Sequence, residues 1–299
     1  MDRFNAMRAF IAVVDEGSFS QAARALGVSK ATISKQVAEL ERHLEAALLL
    51  RSSRHVTLTD IGKTYFNRCR QLVDDLAELE SSVHADVEDL TGLLRISAPT
   101  TFSELYLAPT LHEFQQRHPQ VTVELILADN FIDLHQYPYD MAIRIGELND
   151  STLIARRLAT SFSVFCASPN YLEGRALPKK LNDFDQHRLI FDINVRSGNE
   201  WRPLVNGKRQ SYQPKALLRV NSASLSCNLA VAGCGIAYCP EFVVRDAIAD
   251  GSLVEIKSVA DHEEFGIYAV YSSRKYMSQR LRTFIDFLAE WFCSEKNRG

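Results

Sequence analysis

Ser18 to Glu41, SFSQAARALGVSKATISKQVAELE, is the stretch that decides how this chain is built. Ser18 is placed to cap a helix, and Gln21 three residues on makes a capping box. Ala22, Ala23 and Ala25 keep that helix thin enough for close packing. Gly27 ends it, as a residue tolerant of positive φ does at a helix C-terminus. Ser29 caps the next helix, where Ile33, Val37, Leu40 and Leu44 recur as one buried stripe. The opposite face carries Ala31, Lys35, Ala38 and Arg42, flanked by Thr32 and Ser34. It is small, polar and basic, with no large apolar group. Such a face fits a major groove, where bulk would clash and short polar groups reach base edges. An ordinary helical hairpin with a solvated outer side has the same pattern, so the neighbouring sequence must separate the two readings.

Residues Leu48 to Thr59 read as a short β-hairpin beside the two helices. Leu48 and Leu50 on one arm, and Val56 and Leu58 on the other, alternate with polar residues at period two. Arg51 and Arg54 fall at the tip, as a wing that carries two cations toward phosphates or an A·T-rich minor groove. The order helix, turn, helix, basic hairpin favours the DNA reader.

From Phe4 to Gly62 the chain resembles the N-terminal domain of LysR-type transcriptional regulators. The words that carry this are Ala9-Phe10, Gly17-Ser18-Phe19-Ser20, Ala22-Ala23, Leu26, Ser29, Ser34, Leu40-Glu41, Arg51, Arg54, Leu58-Thr59 and Gly62. His118-Pro119, Asp140 to Arg144, Gly233 to Ile236 and Phe284 to Leu288 fall where that family's effector domain has similar words. Three positions depart from the usual pattern. Lys30-Ala31 stands where many members have Gln-Pro, Glu45 replaces a usual glycine, and Ala47 a usual basic residue. The side chains expected at DNA are Ser29, Lys30, Thr32, Ser34, Lys35, Arg51 and Arg54. The resemblance also implies a bacterial source, a double-stranded operator, a homodimer or homotetramer, and RNA polymerase as a further partner.

The 299 residues suit two or three folding units. No apolar run approaches the roughly 20 residues of a membrane span, and the N-terminus does not read as a signal peptide. A cytoplasmic protein with no membrane partner is expected. Residues 1–70 carry eleven Lys/Arg against seven Asp/Glu, a net of +4; the remainder carries 23 against 30, a net of −7. A basic head on an acidic body suits a DNA reader joined to something that avoids DNA.

Residues 59–90 read as a long linker helix. Tyr65, Cys69, Leu72, Leu76, Leu79, Val83, Val87 and Leu90 follow at spacings of three and four, a heptad-like seam. Packing on its own domain would bury it. Self-pairing along Leu72, Leu76, Leu79 and Val83 is favoured, because two heads gain affinity from two half-sites.

From Leu93 onward strands and helices alternate, as in an α/β fold with a mainly parallel sheet. Strands are expected at Leu93–Ser97, Val121–Leu127, Met141–Ile145, Ser161–Ala167, Leu217–Val220, Gly235–Tyr238 and Phe265–Tyr271. Helices are expected at Leu105–Arg117, Ser224–Ala232 and Gln279–Phe292. The resemblance implies two α/β subdomains like type 2 periplasmic binding proteins. The expected organisation is therefore a winged helix-turn-helix over 1–58, a linker over 59–90 and an effector domain over 91–299. Within the last, one subdomain takes about 91–160 and 267–299, and the other about 161–266.

In such folds ligands sit off strand carboxyl ends, at helix N-termini. Ser97, Thr100 and Thr101 enter the first helix of one subdomain, and Asn221 and Ser222 enter a helix of the other. Facing each other, they would hold a small organic acid, with Phe102 and Phe131 as apolar walls and Arg144 as a charge partner. Helix capping by the hydroxyls, and pairing of Arg144 with Glu147 or Asp150, is the plainer alternative.

The chain has no GxSxG elbow, no HExxH and no P-loop, and Gly233-Cys234-Gly235 lacks the third glycine of a dinucleotide fingerprint. Neither the six cysteines nor the eight histidines have metal-ligand spacing. No enzyme, cofactor or metal is expected. The reading is a DNA-binding regulator modulated by a small molecule bound between its subdomains. A thiol redox-sensing regulator using Cys227, Cys234 or Cys239, and a small-molecule-binding protein without DNA function, are the alternatives.

Overall fold

The computed structural model describes residues 2–51, 56–84, 90–129, 139–148, 153–195, 198–272 and 277–294. Its first helix, α1 (Arg3–Asp15), starts at Asp2, whose carboxylate accepts from the Phe4 and Asn5 amides. It buries Ala6, Ala9, Phe10 and Val13. In α2 (Phe19–Ala25) the Ser18 hydroxyl accepts from Ser20, one residue short of the Gln21 amide that a capping box uses. The helix stops where Gly27 takes a φ of +65° and the Val28 amide reaches the Ala23 carbonyl. Helix α3 (Lys30–Leu44) buries Ile33, Val37 and Leu40, as the stripe requires. It stops in the same turn, but here Glu45 holds the left-handed conformation at φ +51°. A side chain there costs roughly 1–2 kcal/mol, so the departure from glycine is a local strain.

The wing pairs β1 (Leu49–Arg51) with β2 (Val56–Leu58), setting Leu49 against Leu58 and Leu50 against Thr57. Leu48 and Leu49 are buried and Leu50 is 57% exposed, which corrects the expected alternation. Leu48 precedes the strand, so the pleat begins at Leu49 and turns Leu50 outward beside exposed Thr57.

Helix α4 (Asp60–His84) leaves the wing through a tight contact. A Cβ on Gly62 would lie 2.0 Å from the Leu48 carbonyl oxygen. Phe66 and Cys69 then complete the head core, with the Phe10 ring 6.0 Å edge-on from Phe66 and 5.8 Å from Tyr65. Arg70 lies over the Phe66 ring and pairs with Asp15 at the end of α1. Tyr65 and Cys69, the first members of the expected seam, are thus taken up by the chain's own head.

The rest is α/β. It begins with β3 (Gly92–Ala98), α5 (Thr100–Phe102), a π turn over Ser103–Leu107 and α6 (Ala108–Arg117). Helical structure therefore starts at Thr100, not Leu105. Pro109 has no N–H for the Leu105 carbonyl and its ring crowds that group, which accounts for the widened turn just before it. There follow β4 (Val121–Leu127), β5 (Met141–Ile145), β6 (Leu153–Ala167), α7 (Pro169–Leu172) and β7 (Leu189–Asp192). A small hairpin, β8 (Leu204–Val205) and β9 (Lys208–Arg209), leads to β10 (Leu218–Val220) and α8 (Ala223–Val231). The last elements are β11 (Ile236–Pro240), α9 (Glu241–Ala249), β12 (Val254–Glu255), β13 (Glu264–Ser272) and α10 (Gln279–Cys293).

Strands run in the order β10-β7-β11-β6-β13-β5-β3-β4, with β12 also on β6. β3 is parallel to β4 and β5, and β7 is parallel to β10 and β11. The 15-residue β6 joins the two groups: it pairs with β13 as far as Phe162 and with β11 from Ser163. Only its Ser161–Ala167 half was expected as a strand. The Leu153–Thr160 half is interrupted by Arg156, Arg157 and Thr160, so its apolar residues make neither a continuous run nor a strict alternation. One core, around Ile96, Phe114 and Phe284, lies in the first group, and two more flank the second around Trp201 and Ile190. No helix among the described residues is long and apolar enough to cross a membrane.

Candidate DNA interface and effector cleft

The exposed side of α3 is where short and basic residues gather. Ser29, Lys30, Ala31, Lys35, Ala38 and Arg42 are exposed, and Thr32 and Ser34 are half-buried. The Ser29 hydroxyl accepts from the Thr32 amide at 3.1 Å and lies 2.8 Å from the Thr32 hydroxyl. These two side chains therefore fix the helix start, and the amides beside them form an anion seat. Among the described residues Lys30 and Lys35 have no carboxylate partner, whereas Arg42 approaches Glu39 at 3.9 Å. The face offers charge to phosphates and leaves room for a groove.

One residue to which the sequence reading gave no structural role sets the wing against this helix. Glu41 on α3 accepts from the Leu48 and Leu49 amides at 2.9 and 3.1 Å. From the other side the Thr59 hydroxyl donates to the Ala47 carbonyl at 2.8 Å and accepts from the Gly62 amide at 2.8 Å. The signal was an acid near the end of α3 with a polar hairpin following. Arg51 is the last residue of β1; its side chain and all of Arg54 lie outside the described residues. On α4, Leu72 is 58% exposed and Leu76 half-buried, while the side chains of Leu79 and Val83 lie outside the described residues.

The two predicted effector segments do meet, but they meet each other. The Thr101 hydroxyl accepts from the Ser224 amide at 3.3 Å, across 123 residues. The Thr100 amide donates to the Asp129 carboxylate at 3.0 Å. Ser222 caps α8 by accepting from Leu225 at 3.2 Å, and the Asn221 carbonyl accepts from the Asn194 side chain at 2.7 Å. Asp192, at the end of β7, accepts from the Asn194 amide at 2.9 Å. Burial lifts the Asp192 carboxyl above the usual range, the Asn194 bond opposes that lift, and the charge of Asp129 adds to it. Sequence reading missed both acids, although each stands at the carboxyl end of a strand.

Three predicted residues are not open to this cleft. Ser97 is fully buried in β3, and its hydroxyl has no partner among the described residues. Arg144 is buried on β5 and donates to the Ile143 carbonyl, while Glu147 pairs with Arg209. Phe102 is buried in a cluster with Tyr106, Phe242 and Phe292. Phe131 lies outside the described residues. The redox alternative meets an obstacle here. Burial pushes the Cys227 thiol to about 11, and a hydrogen bond with Cys166 together with burial pushes Cys239 up. Such thiols stay protonated and unreactive.

Comparison with known proteins gives two family matches that tile the chain. Residues 4–63 match the bacterial regulatory helix-turn-helix protein of the lysR family, and residues 88–293 match the LysR substrate binding domain. An uncharacterized HTH-type transcriptional regulator of Haemophilus influenzae is 35% identical, covering 93% of this chain and 96% of its own. An HTH-type transcriptional repressor of Pseudomonas aeruginosa is 32% identical over 98% and 93%. The solved structure of CrgA, a LysR-type transcriptional regulator from Neisseria meningitidis, superposes with a TM-score of 0.63 at 31% identity, covering 97% of this chain and 99% of that one.

Proposed function

The chain belongs to the LysR family of transcriptional regulators and carries that family's effector-binding domain, and we propose that it reads one operator sequence through Lys30, Ser34 and Lys35. The observation that carries this is the exposed α3 face, with Lys30 and Lys35 unpaired among the described residues and the opposite side closing the head core. Arg51 and Arg54 of the wing add phosphate or minor-groove contacts, and Ser29 and Thr32 present the helix amides. Two copies pair along Leu72, Leu76, Leu79 and Val83, and dimers pair again into a homotetramer that acts on RNA polymerase.

The effector in this reading is a small organic acid. It enters between the subdomains at Thr100 and Ser222, and its carboxylate replaces Asp129 on the Thr100 amide. That exchange releases the Thr101–Ser224 contact and changes the angle between the subdomains, hence the set of the paired heads on DNA.

Competition binding at several salt concentrations tests the first half. Lys35→Ala should lower discrimination between operator and random duplex by roughly 1–3 kcal/mol. Arg51→Ala should weaken both and reduce the salt slope by about one. Unaltered discrimination in Lys35→Ala and Ser34→Ala together would place the reading face elsewhere.

A further inference from the structure

The hairpin of β8 and β9 reaches from one half of the effector domain to the other. It turns at Asn206-Gly207, both left-handed with φ of +51° and +73°. A two-residue turn of this kind matches the twist of the strands it joins. Val205 packs against the core around Trp201, so the hairpin belongs with the second strand group. The Asp261 amide donates to the Leu204 carbonyl at 2.7 Å, and the Asp261 carboxylate accepts from the Gly207 amide at 3.2 Å. Held at strand and turn, the hairpin presents Arg209 in one place. The Arg209 guanidinium donates to Glu263 at 2.7 Å and also to Glu147. Glu263 stands directly before β13, whereas Glu147 follows β5 in the first strand group.

The place of this pair in the sheet gives it leverage. In the strand order β13 lies between β6 and β5, and β5 lies between β13 and β3. Because β3 and β5 are parallel, Glu147 and Thr101 both stand past carboxyl ends of the first group. Arg209 and Glu147 thus join the halves beside the crossing strands, and Thr101 and Ser224 join them one strand farther out. Next to Glu147, the Gly146 amide donates to the Gly266 carbonyl of β13 at 2.9 Å. An isolated exposed ion pair contributes little, because two mobile side chains must be ordered to make it. Here the hairpin and Glu263 have already ordered one of them. We propose that Arg209 is a latch between the two halves. Paired with both acids it holds the present angle; released from Glu147 and kept by Glu263, it lets the halves turn about β6 and β13. The latch does not depend on which effector enters at Thr100.

The test uses the full-length chain with no effector and reads amide hydrogen exchange. The Ser224 amide, which donates to Thr101 across the halves, and the Gly146 amide report movement, and β7 inside the second group reports folding. Glu147→Gln leaves the hairpin and its Glu263 contact in place. It should speed exchange at Ser224 and Gly146 about three- to fivefold with β7 unaltered. Arg209→Glu should speed it further. Adding Glu147→Arg to Arg209→Glu puts one cation back between two acids, and should bring exchange to within about twofold of the parent. At about 0.5 M salt the parent should approach Glu147→Gln, because screening weakens an exposed pair. Unaltered exchange at Ser224 in Glu147→Gln, or failure of the reversed pair to restore it, would overturn the latch and leave Arg209 as a fastening of the hairpin alone.

Discussion

Two helix starts in this protein offer similar groups and have opposite fates. Ser29 caps α3 and Thr100 opens the first helix of the effector domain; both present a hydroxyl beside backbone amides. At Ser29 the partner is Thr32, three residues away, and the start faces solvent. At Thr100 the partner is Asp129, and the next residue reaches Ser224 in the other half of the domain. A helix start is an anion seat in either setting. The first is open to solvent, whereas the second is already filled by a carboxylate of the chain. In the proposed reading an effector acid there competes with an internal acid, which would couple binding to subdomain movement.

The head and the effector domain have separate cores, and Phe10→Ala tests that separation most severely. Removing this fully buried ring should cost about 3–5 kcal/mol. Hydrogen exchange should show the loss in α1, α3 and the first turns of α4, with β3 and α10 still protected; equal loss in both would mean a single cooperative unit. Leu76→Asp comes next. It sets a charge in the proposed pairing seam beyond the turns that belong to the head, at a cost of roughly 2 kcal/mol or more per seam. Sedimentation should show monomers whose heads remain folded, and an unaltered dimer would assign this part of α4 to its own chain.

Asp192→Asn sharpens the contrast between an open and a filled start. The Asp192 carboxyl is raised above its unfolded value, so its ionisation opposes folding. That penalty is absent below the unfolded pKa and grows as pH rises through the folded one. The variant should therefore melt higher than the parent at neutral pH, with the gap closing on acidification. A gap independent of pH would remove Asp192 from the cleft's electrostatics. Glu45→Gly should have the smallest effect, a gain of about 0.5–1 kcal/mol in the head from relief of the left-handed conformation. Chemical denaturation would read it, and a loss instead would mean that the Glu45 side chain holds a stabilising contact.

The head was legible because its signals are short-range. Ser18, Gly27 and Ser29 act on amides and carbonyls within five residues, and the Ile33, Val37 and Leu40 stripe follows from one helical period. The errors came where a distant group intervened. Leu50 faces outward because Glu41 and Thr59 fix where the strand begins. Tyr65 and Cys69 left the seam because Phe10 was waiting for them. In the effector domain the strands Val121–Leu127 and Met141–Ile145 were plain in their apolar runs. The strand Leu189–Asp192 and helix α9 went unread. So did the first half of β6, whose polar residues hide its pairing with β13.

By itself the sequence determined the family, the winged head, the basic face of α3 and an α/β effector domain. These follow from local capping, periodicity and words that stand close together. Only the tertiary structure decided that Asp129 fills one helix start, that Thr101 meets Ser224, and that Phe102 leaves the cleft to pack with Phe242 and Phe292. Each of those rests on groups brought together from tens to more than a hundred residues apart. Capping and periodicity act over a few residues and carry no information about such pairs.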